Sequence, residues 1–214
     1  MRCTFVVRFL AVALVACATT ANAGIITGVN VIDSSVAQED FAILTAEEGV
    51  NVYADRSPGH RLVNIPAEFE GDAQVIRTSN SDKTRDSFQL EVTTGQLGLI
   101  YVGLDSRHGD LQPLSWMQDT GMTGLPTVFF NTGRTIDIDE GSTAENAGDS
   151  IDNTFDLWAT IAPAGTYNFF NQNFGGGSNN YIIMADNKLL LPEPGTASLI
   201  GVGLIGLLGF RRRR

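Results

Sequence analysis

A chain of 214 residues is long enough to bury the core of one domain of ordinary size. Its 24 Asp and Glu against 14 Lys and Arg give a formal charge of −10. That balance excludes a nucleic-acid binder, which needs basic surface, and opposes adhesion to anionic lipid.

The chain opens on Arg2 and Arg8, an apolar stretch from Phe9 to Ala18 and the A-x-A site Ala21-Asn22-Ala23. This order predicts a signal peptide over 1–23, cut by signal peptidase after Ala23, so that the exported chain begins at Gly24. Leu14-Val15-Ala16-Cys17 also fits a lipoprotein box with Cys17 as the lipidated residue. A cut there leaves only Phe9 to Ala13 as apolar core, whereas the cut after Ala23 uses the whole stretch. Both cysteines, Cys3 and Cys17, fall in the removed segment, so no thiol or disulfide chemistry follows and the exported domain is held by its core.

Residues 24–188 read as one domain of strands. Apolar and β-branched clusters at Gly49 to Tyr53, Ala73 to Thr78, Phe88 to Thr93, Leu99 to Leu104, Thr127 to Phe130, Phe155 to Thr160, Thr166 to Phe170 and Tyr181 to Ala185 are separated by Gly, Pro, Asn, Asp and Ser. The spacing predicts an all-β fold, an antiparallel β-sandwich or jelly roll. Phe88 to Val92 alternates as a half-buried strand should; Leu99 to Leu104 is continuously apolar and is expected at the centre of a sheet. Val36 to Glu48 has the best claim to a helix. Asp137 to Asn153, acidic and rich in Gly and Ser, and Asn171 to Asn180, with Gly175-Gly176-Gly177, read as surface loops. The body carries eight Lys and Arg against 23 Asp and Glu, a net charge of −15, which suits solubility outside the cell and attracts divalent cations.

Asp105 and Arg107 stand two apart at a strand end, so both side chains leave one face. They form either a polar floor for a sugar, Arg107 donating and Asp105 accepting, or an ion pair, with Lys83 or Arg56 as further partners. A sugar platform needs an exposed flat ring. Trp158 lies opposite the set Phe155, Leu157, Ala159 and Ile161, and with that set in the core it is expected exposed or under a loop; Trp116, between Leu114 and Met117, is expected in the core. Asp137, Asp139 and Glu140, followed by Glu145, Asp149 and Asp152, could supply oxygen to calcium, the one cofactor the chain suggests. The alternative is a solvated acidic loop, because Gly141 and Gly148 stand where an EF-hand needs ligands. Catalysis finds no support: there is no G-x-S-x-G elbow and no H-E-x-x-H, the glycine run lacks the Lys-Ser/Thr of a phosphate loop, and His60 and His108 lie in polar loops. The chain is expected not to be an enzyme.

The tail, 189–214, joins Pro192-Glu193-Pro194, an apolar run from Gly195 to Phe210 and the cluster Arg211, Arg212, Arg213 and Arg214. Charge at the bilayer centre costs about 2.5–3.5 kcal/mol per residue, so the arginines stop transfer in the cytoplasm and everything before Pro192 lies across the membrane. As a helix the run reaches roughly 24 Å against a hydrocarbon core of roughly 30 Å. Gly201, Gly203, Gly206 and Gly209 weaken it further. A transient, processed span fits better than a permanent anchor. This tripartite tail closely resembles the PEP-CTERM sorting signal of Gram-negative bacteria, which implies a membrane-embedded exosortase as partner, cleavage near Pro-Glu-Pro, transient residence in the inner membrane and final delivery to the cell surface or extracellular matrix. Leu191 to Gly195 is similar to the Gram-positive sortase motif too, but Pro194 stands where that motif has Thr. An uncut single-span anchor is the remaining reading.

A second resemblance rests on Tyr53-Ala54-Asp55-Arg56, Ile65 to Gly71, Val75 to Lys83, Ile100 to Arg107 and Leu114-Ser115-Trp116, continuing through Ala164-Gly165 and Gly177 to Tyr181, with a long acidic insertion after Ile136 as a departure. These segments look like a galactose-binding-like β-sandwich module of secreted polysaccharide-active enzymes and of other PEP-CTERM proteins. The resemblance implies a binding role, for polysaccharide and in some modules with calcium, and no catalysis.

Overall fold

The computed structural model describes residues 24–108, 113–141, 152–172 and 177–188. Its strands are β1 (Ile26–Asp33), β2 (Ala42–Thr45), β3 (Arg61–Val63), β4 (Gln74–Arg77), β5 (Gln89–Thr94), β6 (Gly98–Asp105), β7 (Phe130–Asp139), β8 (Asn153–Ala162), β9 (Gly165–Phe170) and β10 (Ile182–Asp186). The connections carry short 3-10 turns and one α turn, α1 (Thr120–Thr123). Strand pairing is antiparallel in two sheets, one ordered β1-β5-β9 and the other β2-β4-β10-β6-β8-β7-β3. The predicted all-β sandwich is what forms.

The two sheets bury different strand patterns for a simple reason. β5 alternates, with Leu90, Val92 and Thr94 buried and Gln89, Glu91 and Thr93 half-buried, because only one face of the small sheet meets apolar surface. β6 is buried along its whole length because the large sheet is covered on both faces. Ile100, Val102 and Leu104 enter the core between the sheets with Leu90, Val92, Trp116 and Phe169. Leu99 and Tyr101 enter a second core with Leu62, Phe69, Phe155 and Leu157. The large sheet closes around that second core by curling. In β7 a register shift between Asn131 and Arg134, with Gly133 at φ 69°, bends the strand, and its far end, Asp137 to Asp139, picks up β3.

Several expectations change. Val36 to Glu48 is not a helix but a 3-10 turn, Gln38–Asp40, followed by β2. A short apolar run has no decisive period, and pairing with β4 settles it as strand. Gly49 to Tyr53 forms only isolated bridges at Asn51 and Tyr53. β7 starts at Phe130 and runs through Asp137 to Asp139, and β8 begins at Asn153, so the acidic stretch expected as loop is strand at both ends. The signal-peptide residues (Cys3, Cys17, Ala21 and Ala23), the sorting tail (Pro192, Glu193, Pro194 and Arg211 to Arg214), and Glu145, Asp149, Gly175 and Gly176 lie outside the described residues. Among the described residues no helix is long and apolar enough to cross a membrane.

Candidate functional site: a polar pole and the opposite tethered pole

β6 ends in Asp105, and there the large sheet gathers polar side chains from several connections. Asp105 is buried, 1% exposed. It accepts hydrogen bonds from the Arg107 amide (3.0 Å), from Arg107 Nε (2.9 Å) and Nη2 (2.5 Å), and from the Asn179 amide (2.7 Å). The Asn179 side chain turns the other way and donates to Glu140 Oε1 at 2.7 Å. The same oxygen takes Asn153 Nδ2 and lies 3.5 Å from Arg107 Nη2 and 3.8 Å from His60 Nε2. Asn80 Nδ2 donates to Asn179 Oδ1 (2.9 Å), the Asn180 amide donates to Asn80 Oδ1 (2.8 Å), and Tyr53 donates its hydroxyl to the Asn180 carbonyl. Asp55 closes the chain by accepting from the Asn80 amide (2.8 Å), the Ser81 amide (3.0 Å) and Ser81 Oγ (2.6 Å).

Local backbone geometry makes these approaches fit. His60 sits in the left-handed region at φ 60°, which is uncommon outside glycine, and its ring meets Tyr53 edge-on at 5.6 Å. A Cβ on Gly59 would lie 2.6 Å from the Gly141 carbonyl oxygen, so glycine lets the two loops touch. Electrostatics follow from the contacts. Burial opposes charge on Asp55 and Asp105, but their hydrogen bonds, from Ser81 and Asn80 in one case and from Arg107 and Asn179 in the other, hold both carboxyls below the usual range. Burial pushes the His60 imidazole down against the pull of Glu140, and burial with Arg56 and Arg107 nearby pushes the Lys83 ammonium down. Burial raises the Tyr53 phenol well above its ordinary value.

The pole brings Asp105 and Arg107 together as an ion pair that also ties down the 179–180 backbone. Trp158 is no exposed ring: at 8% exposure it packs in the core between the sheets, while Phe155, Leu157 and Ala159 fill the second core. The alternation holds for Phe155, Leu157 and Ala159, whereas Ile161, expected with them, is 41% exposed, and Trp158 is covered because both faces of the sheet are packed at that position. Trp116 is in the core as expected. The calcium candidates diverge. Asp137 accepts from Asn64, Asp139 is buried and accepts from the Gly141 amide, and Glu140 joins the pole. Among the described residues no set of three His, Cys, Asp or Glu side chains could hold a metal ion. Asn171 to Asn180 is not simply a surface loop either: Gln172, Ser178, Asn179 and Asn180 are buried. The asparagines Asn80, Asn153, Asn179 and Asn180 are the residues that sequence reasoning passed over. Their one signal was Asn beside apolar strand, which turn-forming Asn shares.

The other end of the fold is where the chain enters and leaves. Gly24, Ile25, Gln74, Ala185, Asp186 and Asn187 line one small cavity, and Gln74 bonds both the amide (2.6 Å) and the carbonyl (3.1 Å) of Ile26. Asp186 pairs with Leu99, at the start of β6. Beyond Lys188 come Leu189, Leu190 and a segment, residues 191–214, that matches the PEP-CTERM protein-sorting motif. The tail is a PEP-CTERM sorting motif. Exosortase is its processing partner, and the motif entails export with transient anchoring in the membrane. No curated protein and no solved structure matches the chain, so the PEP-CTERM match stands for the tail, and the likeness of the body to a galactose-binding-like module has no support beyond the two-sheet architecture. The PEP-CTERM tail leaves a body held firmly at its exit. Lys188 donates its amide to Asp186 (2.9 Å) and its ammonium to the Glu68 carbonyl (3.1 Å) and Asp72 (2.5 Å).

Proposed function

We propose that this is an exported, non-enzymatic protein of the surface or extracellular matrix of a Gram-negative bacterium, associated with exopolysaccharide or biofilm and released to it by exosortase. The observation that carries the reading is the polarity of the body. Gly24 and Asn187 lie at one end, and the Asp105 end of β6 lies about 23 Å away at about 3.3 Å per residue. Lys188 stands four positions before Pro192, at most about 14 Å of extended chain, so the tethered body stands close against the membrane with its polar pole outward. The titratable groups of that pole bond one another instead of converging on an open cleft, which suits a structural or binding role better than catalysis. A second reading, recognition of a polysaccharide, is favoured by Arg107, whose side chain is 43% exposed at that outward pole.

The test is the intact mass of the protein recovered from envelope and medium of its native host. Loss of both ends, near Ala23 and Pro192, is expected. Glu193→Ala and Pro194→Ala should leave uncut protein in the inner membrane; an intact C-terminus in wild type, or unchanged processing in both variants, overturns the reading.

A further inference from the structure

Three of the eight cations of the body, Arg56, Lys83 and Arg107, hang from one run of hydrogen bonds at the outward pole. Asp55, next to Arg56 and 3.9 Å from its Nη1, caps the 3-10 turn Asn80–Thr84 that carries Lys83. Asn80 of that turn bonds Asn179, and Asn179 bonds Asp105, the partner of Arg107. The three carboxylates among these cations are already engaged, Asp55 by Ser81 and the Asn80 amide, Asp105 by Arg107 and the Asn179 amide, Glu140 through its Oε1 by Asn153 and Asn179. What stays open is the opposite kind of group. Lys83 is half-buried and, among the described residues, makes no hydrogen bond or ion pair. Arg107 places Nε and Nη2 on Asp105 and leaves Nη1 unbonded among the described residues, and Arg56 has only the long contact to Asp55. Open donors beside carboxylates that are already engaged call for a ligand that accepts, and the positive charge calls for an anion. A cation would meet the reverse of what it needs.

We propose that Arg56, Lys83 and Arg107 bind a single carboxylate carried by an otherwise neutral glycan, a uronic-acid residue of an exopolysaccharide. The inference rests on the polysaccharide reading and sharpens it. The net charge of −15 on the body repels a densely charged polyanion at long range, but charges beyond about 8 Å are screened at physiological salt. A sparsely charged chain therefore reaches the three donors with little opposition. Arg107 presents its outer N–H while Asp105 holds the fork in place, and Lys83 supplies its ammonium.

The experiment is calorimetric titration of the full chain, in detergent, with xylotriose bearing a single glucuronic acid, with neutral xylotriose and with inorganic phosphate. Binding of the acidic oligosaccharide alone is expected, weakened about tenfold or more in Lys83→Gln, the loss of one charge-assisted hydrogen bond. Because Lys83 has no partner to orphan among the described residues, that variant should melt like wild type. Arg56→Gln should weaken binding in the same direction. Equal binding of both oligosaccharides overturns the anionic site while leaving polysaccharide recognition standing. Phosphate binding as tight as the acidic oligosaccharide overturns the sugar. No binding of the acidic oligosaccharide, or undiminished binding by Lys83→Gln, overturns the proposal as a whole.

Discussion

Two tryptophans with similar burial should differ in what they contribute. Trp116 donates Nε1 to the Asn171 carbonyl at 3.0 Å and meets Phe129, Phe169, Phe170 and Tyr181 through its rings. Trp158 Nε1 is buried with no hydrogen-bond partner among the described residues. Replacement by Phe removes a made bond in the first case and an unmet donor in the second. Trp116→Phe should therefore cost about 1–2 kcal/mol more than Trp158→Phe in denaturant unfolding. Equal losses would mean that the Trp116 bond contributes nothing. The acid response also belongs to single residues. A group whose folded pKa lies below its unfolded value stabilises the fold above the unfolded value and loses that contribution as pH falls through the folded one. His60 is such a group, so the thermal midpoint should begin to fall below about pH 6.5; Asp55 and Asp105 add a second fall below about pH 4. His60→Gln should remove the first fall and keep the second.

Among the elements, β6 is the one whose place could be read directly, because six consecutive apolar positions from Leu99 to Leu104, Gly103 included, demand cover on both faces. Its tight packing has a measurable cost. A Cβ at Gly103 would stand 2.5 Å from Ile182 Cγ1 and 3.3 Å from Leu157 Cδ2, whereas a Cβ at Gly28 in β1 meets nothing nearer than Thr93 Cβ at 3.7 Å. Gly103→Ala should destabilise by about 1–3 kcal/mol through overpacking, and Gly28→Ala should be neutral or stabilise by a few tenths. Similar midpoints for the two variants would show that β10 and β8 give way around β6. β5, β8, β9 and β10 were legible for the same reason as β6, since each carries its own alternation or apolar run. β1, β2 and β3 were not. Their side chains are mostly half-exposed or the strands only three or four residues long, and such segments become strands because a neighbour offers a hydrogen-bonding edge.

At the scale of the whole molecule, the fold separates the end from which the tail leaves from the polar pole. Because β6 and β10 are antiparallel neighbours, the exit of the chain at Asp186 and the polar pole at Asp105 necessarily fall at opposite ends of the same sheet. The sequence by itself determined the tail, the all-β class and the central strand. Those features are written in contiguous residues: charge, apolar length and period act locally. Only the tertiary structure decided that Trp158 is buried, that Asp137, Asp139 and Glu140 point to different partners, and that the segments carrying Arg56, Lys83 and Arg107 meet at one end of the large sheet. Each of those outcomes depends on which segments the curling of the large sheet brings together across many residues of chain, and no local pattern records that.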